Sequence, residues 1–360
     1  MATFDVSKNW MILVPPHAPA ARKAAEDLSR CLRLLGPETS TRGEKAPVLV
    51  EATASAEPRD TPVIVLNSDS GNPEARGFSW RVGEDRVEIF GQGEGGLCKG
   101  IYDFLSALGF RWPEQVSVKD PAEHVRFEKE ILPPPETGKV FSLKTGHAQM
   151  PSDEGPLTGS WKRLVIPEKS QALQTPKKRA AMMTWAIRNG FDALVFPFGC
   201  PKDAVQEAKG YGLAAEAGGW VISSLVPRKL FFFHKELFRM EGGERKKKTH
   251  FCPTNPETIA ILRSEGKKMF SSMSGGGGIR IFHLWPEQGE ETTWCTCPSC
   301  RAFTHSEQYC IAVNAVGDVL AELYQDGLIS MLDEPDEENE IALRPNIFRI
   351  SPVGITTLRW

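Results

Sequence analysis

The stretch TPKKRAAMMTWAIRNGFDALVFPFG, Thr175 to Gly199, reads as a helix followed by a buried strand. Thr175 is a capping residue, Pro176 suits a first helical turn, and Gly190 stops the helix. The apolar run that follows has the length and β-branched or aromatic character of a strand buried on both faces. Helix and strand joined this tightly are the repeating unit of a parallel sheet, so the neighbours of this stretch decide the fold.

They repeat the rhythm. PKDAVQEAKGYG reads as a helix and LAAEAGGWVISSL as a strand; NPETIAILRSEGKKMFSSM is a helix and GIRIFHLWPEQ a strand. SEQYCIAVNAVGDVLAELYQDG is a long helix, RPNIFRISP a last strand, and VFSLKTGH, ending at His147, the first. Alternation of this kind predicts a parallel α/β sheet, open or curled into a (β/α) barrel. Only five core strands are counted before Trp360, where a full barrel needs eight, so the expectation is a barrel incomplete at its C-terminal side.

Upstream, residues 1–130 predict a separate α/β unit with a mostly antiparallel sheet. WMILVPP and TPVIVLNS read as strands, APAARKAAEDLSRCLRLLG as an amphipathic helix, and GFSWRVGEDRVEIFGQG as a hairpin around Gly83-Glu84-Asp85. The glycines of GQGEGGLCKG lack the spacing of a phosphate-binding fingerprint and predict a tight strand-to-helix turn. EKEILPPPETGKV, Glu128 to Val140, is a proline-rich joint. The second unit is therefore placed at 139–360.

Composition narrows the function classes. The chain has 360 residues, 41% hydrophobic and 25% charged, and a net charge of -3, which makes no electrostatic case for nucleic acid or an anionic membrane as partner. The basic run GGERKKKTH reads as a solvated loop. No segment carries the ~18 continuous apolar residues of a membrane span, and the first residues lack the pattern of a secretion signal. Eight cysteines, several of them crowded together, favour reduced thiols or a metal over a disulfide scaffold, and with them a cytoplasmic location.

The order of elements in the N-terminal part, closing on Gly100, Tyr102, Phe104, Leu105, Gly109, Arg111 and Trp112, resembles the accessory domain that precedes the catalytic barrel in α-glucuronidases and family 20 β-hexosaminidases. WAIRNGFDALVFP, LVPRKLFFFHKELFRMEGGERKKKTHFCPTNPE and WCTCPSC are similar to a domain of unknown function, family 4838, that follows this accessory domain in many bacterial carbohydrate-associated proteins. The two resemblances together cover nearly the whole chain. They imply a barrel related to glycoside hydrolases and an oligosaccharide or polysaccharide ligand, and leave activity open. The chain is either a hydrolase of O-glycosyl bonds or a non-catalytic carbohydrate-binding protein on a degenerate barrel. Relatives commonly carry GGH where this chain has Gly218-Gly219-Trp220, which puts an indole in place of a polar contact.

Barrel sites lie at the C-terminal ends of the strands. That rule selects His147, Trp220, His283 and Trp285 for sugar contacts, and Glu287 as the acid that protonates a departing glycosidic oxygen. Asp153, Glu154 and Glu216 are the candidate partner carboxylates, while Trp185 reads as core. Cys295, Cys297 and Cys300 have the spacing to close around one structural Zn²⁺, with Cys252, His250, His305 or Cys310 as the fourth ligand.

Overall fold

The computed structural model describes residues 2–35, 48–51, 61–69, 76–112, 140–143, 147–150, 161–273, 278–286, 294–333 and 340–358. The N-terminal unit contains β1 (Ala2–Asp5), β2 (Met11–Val14), α1 (Pro19–Leu35), β3 (Val48–Glu51), β4 (Val63–Asp69), β5 (Phe78–Val82), β6 (Arg86–Gln92) and α2 (Gly93–Ala107). Two later strands, β7 (Val140–Leu143) and β8 (His147–Met150), return to it. β1 pairs with β7, and the main sheet has the order β3-β2-β4-β6-β5-β8.

This sheet is mixed rather than mostly antiparallel. β3, β2, β4 and β6 pair parallel with one another, while β5 is antiparallel to both β6 and β8. The helical crossover of α1 between β2 and β3 is what imposes the parallel pairing. α1 buries Ala21, Ala25, Leu28 and Leu32 at helical spacing, as its sequence predicts. The glycine-rich turn into α2 serves close packing. A Cβ on Gly91 would lie 1.9 Å from the Leu97 nitrogen, so no side chain fits where strand and helix meet.

The second unit is an incomplete (β/α) barrel. Its elements are β9 (Arg163–Val165), α3 (Pro176–Arg188), β10 (Ala193–Phe196), α4 (Lys202–Lys209), β11 (Ala214–Gly219), β12 (Met240–Glu241), β13 (Glu244–Arg245), α5 (Pro256–Met273), β14 (Ile281–Leu284), α6 (His305–Leu323), β15 (Leu328–Leu332), β16 (Ile347–Ile350) and β17 (Ile355–Thr357). A seven-stranded sheet runs β16-β15-β14-β11-β10-β9-β17, and every pairing in it is parallel. The helix of the opening stretch forms as its ends demand: the Thr175 hydroxyl accepts the Lys178 N–H, and Pro176 opens the first turn.

The two edge strands are consecutive in the chain. Laid flat, seven strands at ~4.8 Å spacing would set their edges about 29 Å apart. The five steps from Ile350 to Ile355 reach about 18 Å at most. The sheet must curl until β16 and β17 approach each other. Outward side chains such as Leu164, Leu194, Phe196, Phe282 and Met331 join the core beneath the helices. Inward ones, Val165, Val195, Trp285, Leu332 and Ile350, form a separate cluster inside the curl.

Three strands of this sheet, β9, β15 and β17, were not foreseen from the sequence, because runs of three to five residues beside long loops carry little periodicity. VFSLKTGH, read as the first barrel strand, instead supplies β7 and the first residue of β8 to the N-terminal sheets.

Buried charges fasten the two units. Lys99 on α2 meets Asp192 at 2.6 Å, and Asp192 also accepts the Lys162 N–H at 2.9 Å. Asp27 on α1 accepts from Tyr102 and from Arg188 on α3. Lys99 is 7% exposed and Asp192 2%, so removing one partner strands the other charge. Lys99→Ala should lower the unfolding free energy by about 3–5 kcal/mol in urea denaturation. A loss below about 1 kcal/mol, the size of a surface pair, would show that water reaches Asp192.

Candidate functional site

Alternation along the barrel strands decides which side chains enter its interior. On β14, His283 points inward, and Trp285 just beyond its end does the same. β11 contributes Glu216, β9 Arg163, and β15 Ser330, all at most 2% exposed. They form one hydrogen-bonded chain. The Trp285 indole donates to the Ser330 hydroxyl at 3.0 Å, and Ser330 meets Nδ1 of His283. His283 Nε2 lies 2.8 Å from Glu216 Oε2, which also accepts from Arg163 Nε at 2.8 Å. Arg163 Nη2 reaches the other carboxylate oxygen at 3.3 Å.

With histidine neutral, one proton arrangement satisfies this chain: Trp285 N–H to Ser330, Ser330 O–H to Nδ1, and Nε2–H to Glu216. The energetics agree. Burial holds the His283 ring below its ordinary value, opposed in part by Glu216. Burial alone would raise the Glu216 carboxyl, but the Arg163 guanidinium and His283 outweigh it and keep the carboxyl below the usual range. Glu216 therefore stays ionised, a counter-charge rather than a proton donor.

The mouth at the strand ends is closed by aromatic rings. Trp220 meets Trp285 edge-on, with ring centroids 5.1 Å apart, and its Nε1 donates to Thr357 Oγ1 at 3.2 Å. Gly218 precedes it because β11 and β14 approach closely: a Cβ there would lie 2.1 Å from the His283 carbonyl oxygen. Trp220 keeps part of its surface open, while His283 and Trp285 are fully buried.

The residues selected from sequence thus separate. Trp220 faces the mouth. His283 and Trp285 sit beneath it as internal supports, without a surface to offer a sugar. Both stand at the end of β14 and are directed into the filled interior. His147 lies on β8 at the edge of the N-terminal sheet, away from the barrel strands. Glu287, Asp153 and Glu154 lie outside the described residues. Sequence reading missed Arg163 and Ser330. The alternation RLV and LISML would have placed both on an inward face, had those short runs been read as strands.

Four cysteines meet at a second place. Cys252, Cys295, Cys297 and Cys300 are buried, and their sulfurs all lie within 4.8 Å of one another. Cys252 Sγ is 3.7 Å from both Cys297 Sγ and Cys300 Sγ. Four sulfurs ~2.3 Å from one tetrahedral metal ion would stand about 3.8 Å apart, so the cluster has the dimensions to hold such an ion. Cys252 is the fourth member. His250 instead stacks on Trp294 at 4.2 Å, Cys310 Sγ accepts from Arg349, and His305 is exposed at the start of α6. Met240 N–H donates to Cys295 Sγ at 3.2 Å, and Thr296 N–H to the Met240 carbonyl at 2.8 Å. The cluster therefore ties the β12–β13 hairpin to the loop after β14.

A cavity of about 810 Å³ reaches the network from the other side at Glu216, and is lined also by Asp69, Arg76, Glu94, Trp161 and Arg280 among others. It separates the N-terminal sheet from the N-terminal ends of the barrel strands. Barrel chemistry belongs to the opposite end, so this space is interdomain and distinct from the mouth.

No protein family's sequence profile matches the chain, and no curated protein matches it in sequence. Solved structures do resemble it. The chitobiase of Flavobacterium johnsoniae aligns over 92% of this chain and 50% of its own, with a TM-score of 0.50 and 13% identity. The family 20 β-N-acetylhexosaminidase of Streptomyces coelicolor A3(2) gives 94% and 68%, with a TM-score of 0.48 and 12% identity. The family 20 exo-β-N-acetylglucosaminidase of Vibrio harveyi, in complex with N-acetylglucosamine, gives 97% and 55%, with 0.47 and 10%. The chain spans about half to two thirds of the length of these enzymes. At 13% identity the likeness to the chitobiase is one of fold.

The two pKa displacements act in the same direction on stability. The unfolded chain takes up a proton near the ordinary histidine value of 6.5 that the buried His283 ring refuses. Stability is therefore complete above that pH and declines below it. Glu216 adds a second loss below its ordinary 4.5, where the unfolded carboxylate protonates before the folded one. Urea midpoints should fall from about pH 6.5 downward, and His283→Gln should flatten the upper part of that fall. An unchanged slope in the variant would mean that the ring titrates freely.

Proposed function

We propose that this chain is a glycoside hydrolase-like protein that engages a glycan at the C-terminal mouth of its barrel, with Glu287 as proton donor where an O-glycosyl bond is cut. The observation that carries this reading is Trp220. Its partly open indole is held across the mouth by Trp285 beneath it and Thr357 beside it, and an indole face fixed in this way suits the apolar face of a sugar ring. Glu287 follows Trp285 by two residues in the sequence. The order of WAIRNGFDALVFP, the LVPRKLFFF segment and WCTCPSC supports assignment to the family 4838 domain, preceded by an accessory domain of the glycosidase type.

A second reading, glycan binding without hydrolysis, is favoured by the barrel interior. Glu216 is tied to Arg163 and His283 and cannot supply the second carboxylate that most glycosidases use.

Trp220→Ala should weaken binding of a recognised oligosaccharide about tenfold, or ~1.4 kcal/mol, with the fold intact. Glu287→Gln should abolish turnover of chromogenic glycosides while leaving affinity within about tenfold of wild type. Full turnover in Glu287→Gln would remove that residue from the mechanism, and unchanged affinity in Trp220→Ala would remove the stacking platform.

For the cysteine cluster we propose a structural Zn²⁺ held by Cys252, Cys295, Cys297 and Cys300. Four sulfur ligands leave no open position for chemistry, so the ion would act by joining the hairpin to the loop. Elemental analysis of protein purified without chelator should find one zinc per chain, and Cys300→Ser should lower the melting temperature together with the metal content. Metal-free protein of unaltered stability would discard the ion.

A further inference from the structure

The basic run at 245–248, read from sequence as a solvated loop, belongs to a built surface. Between residues 228 and 248 stand eight Lys or Arg against three Glu, a local charge of +5 in a chain whose net charge is -3. The same segment presents Phe232 and Phe233 at 67% and 83% exposure. Lys247 Nζ stands 4.2 Å from the centroid of the Phe232 ring, and Lys235 Nζ stands 5.8 Å from that of Phe231. Aromatic rings and ammonium groups therefore alternate along one arm.

The arm is held in place. The Arg228 guanidinium donates to the carbonyls of Thr249 at 2.5 Å and His250 at 3.2 Å, and also to that of Ser223. Cys252 N–H donates to the Leu237 carbonyl at 2.9 Å, and the four-cysteine cluster anchors the hairpin beyond. Two exposed phenylalanines on a braced five-residue turn have already lost the freedom that binding would otherwise cost them. The arm follows β11, so it emerges at the same end of the barrel as Trp220.

We infer that this arm is a subsite for an acidic polysaccharide, a chain of uronate residues passing the barrel mouth. The inference rests on the glycan reading of the mouth and specifies its ligand. A uronate ring offers a C–H face to a phenylalanine and a carboxylate to a neighbouring ammonium, which is the alternation the arm displays. Densely sulfated chains would be held by charge alone and would not need the two rings. A lipid surface fits less well, since membrane-seated elements bury a long apolar helical face, and here the apolar part is two rings on a short 3₁₀ turn.

The test compares polygalacturonate with its fully methyl-esterified form, the same backbone without charge. Wild type should bind the acid form at least about tenfold more tightly, and added salt should erase the difference. Phe232→Ala/Phe233→Ala and Lys229→Gln/Lys235→Gln/Lys247→Gln should each lose most of that preference, with unchanged melting curves because all five side chains are exposed. Loss of preference in these variants, with Trp220→Ala silent on every glycan, would uphold the arm while discarding the mouth. Equal binding of both polymers, binding unaffected by the arm variants, or no binding of either overturns the inference. So does tighter binding of dextran sulfate than of polygalacturonate, or sedimentation with phosphatidylserine vesicles that the arm variants abolish in the absence of glycan binding.

Discussion

Arg163 carries a full charge inside the barrel at 1% exposure, and much of the second unit is arranged around that fact. A buried guanidinium is tolerable only with a carboxylate and a full set of hydrogen-bond partners. Glu216 answers it from β11, two strands away across β10. His283 on β14 and Ser330 on β15 complete the chain, so the network reaches four of the seven strands. A slip of one residue in any of them would turn its polar group outward and leave its neighbours unsatisfied. The polar interior thus acts as a register lock, and the apolar ring of Val165, Val195, Trp285, Leu332 and Ile350 lies beside it.

The short link between β16 and β17 is the complement of that lock. Residues 351–354 join the two edges of the sheet, and the Gly354 carbonyl accepts the Arg163 N–H at 2.9 Å. The last strand therefore seals the side on which the buried arginine begins. Filling and closure together explain why this barrel presents a capped mouth. Trp285 takes the space above the network, and Trp220 lies over Trp285 with part of its indole open.

Those loops are long, and they need support that propensity does not provide. The cysteine cluster joins segments more than forty residues apart, holding Cys252 against Cys297 and Cys300. Cys295 Sγ accepts the Met240 N–H of the hairpin, so the cluster and the basic arm share one scaffold. A loop crossover of this length would otherwise be costly to order.

By itself the sequence determined the α/β class, the barrel rhythm around Thr175 to Gly199, and the grouping of Cys295, Cys297 and Cys300. These follow from short-range periodicity and spacing, which survive in a one-dimensional reading. The strands β9, β15 and β17 were not legible, because three to five apolar residues look alike in a strand, a loop or a helix end. Nor could spacing choose Cys252 over His250, since stacking on Trp294 is what removes His250 from the ligand set. The roles of His283 and Trp285 were decided only in three dimensions. Both stand at a strand end, where sequence expects a binding residue. Only the curl of the sheet, with Arg163 and Glu216 brought in from distant strands, determined that they face a filled interior instead of a cleft.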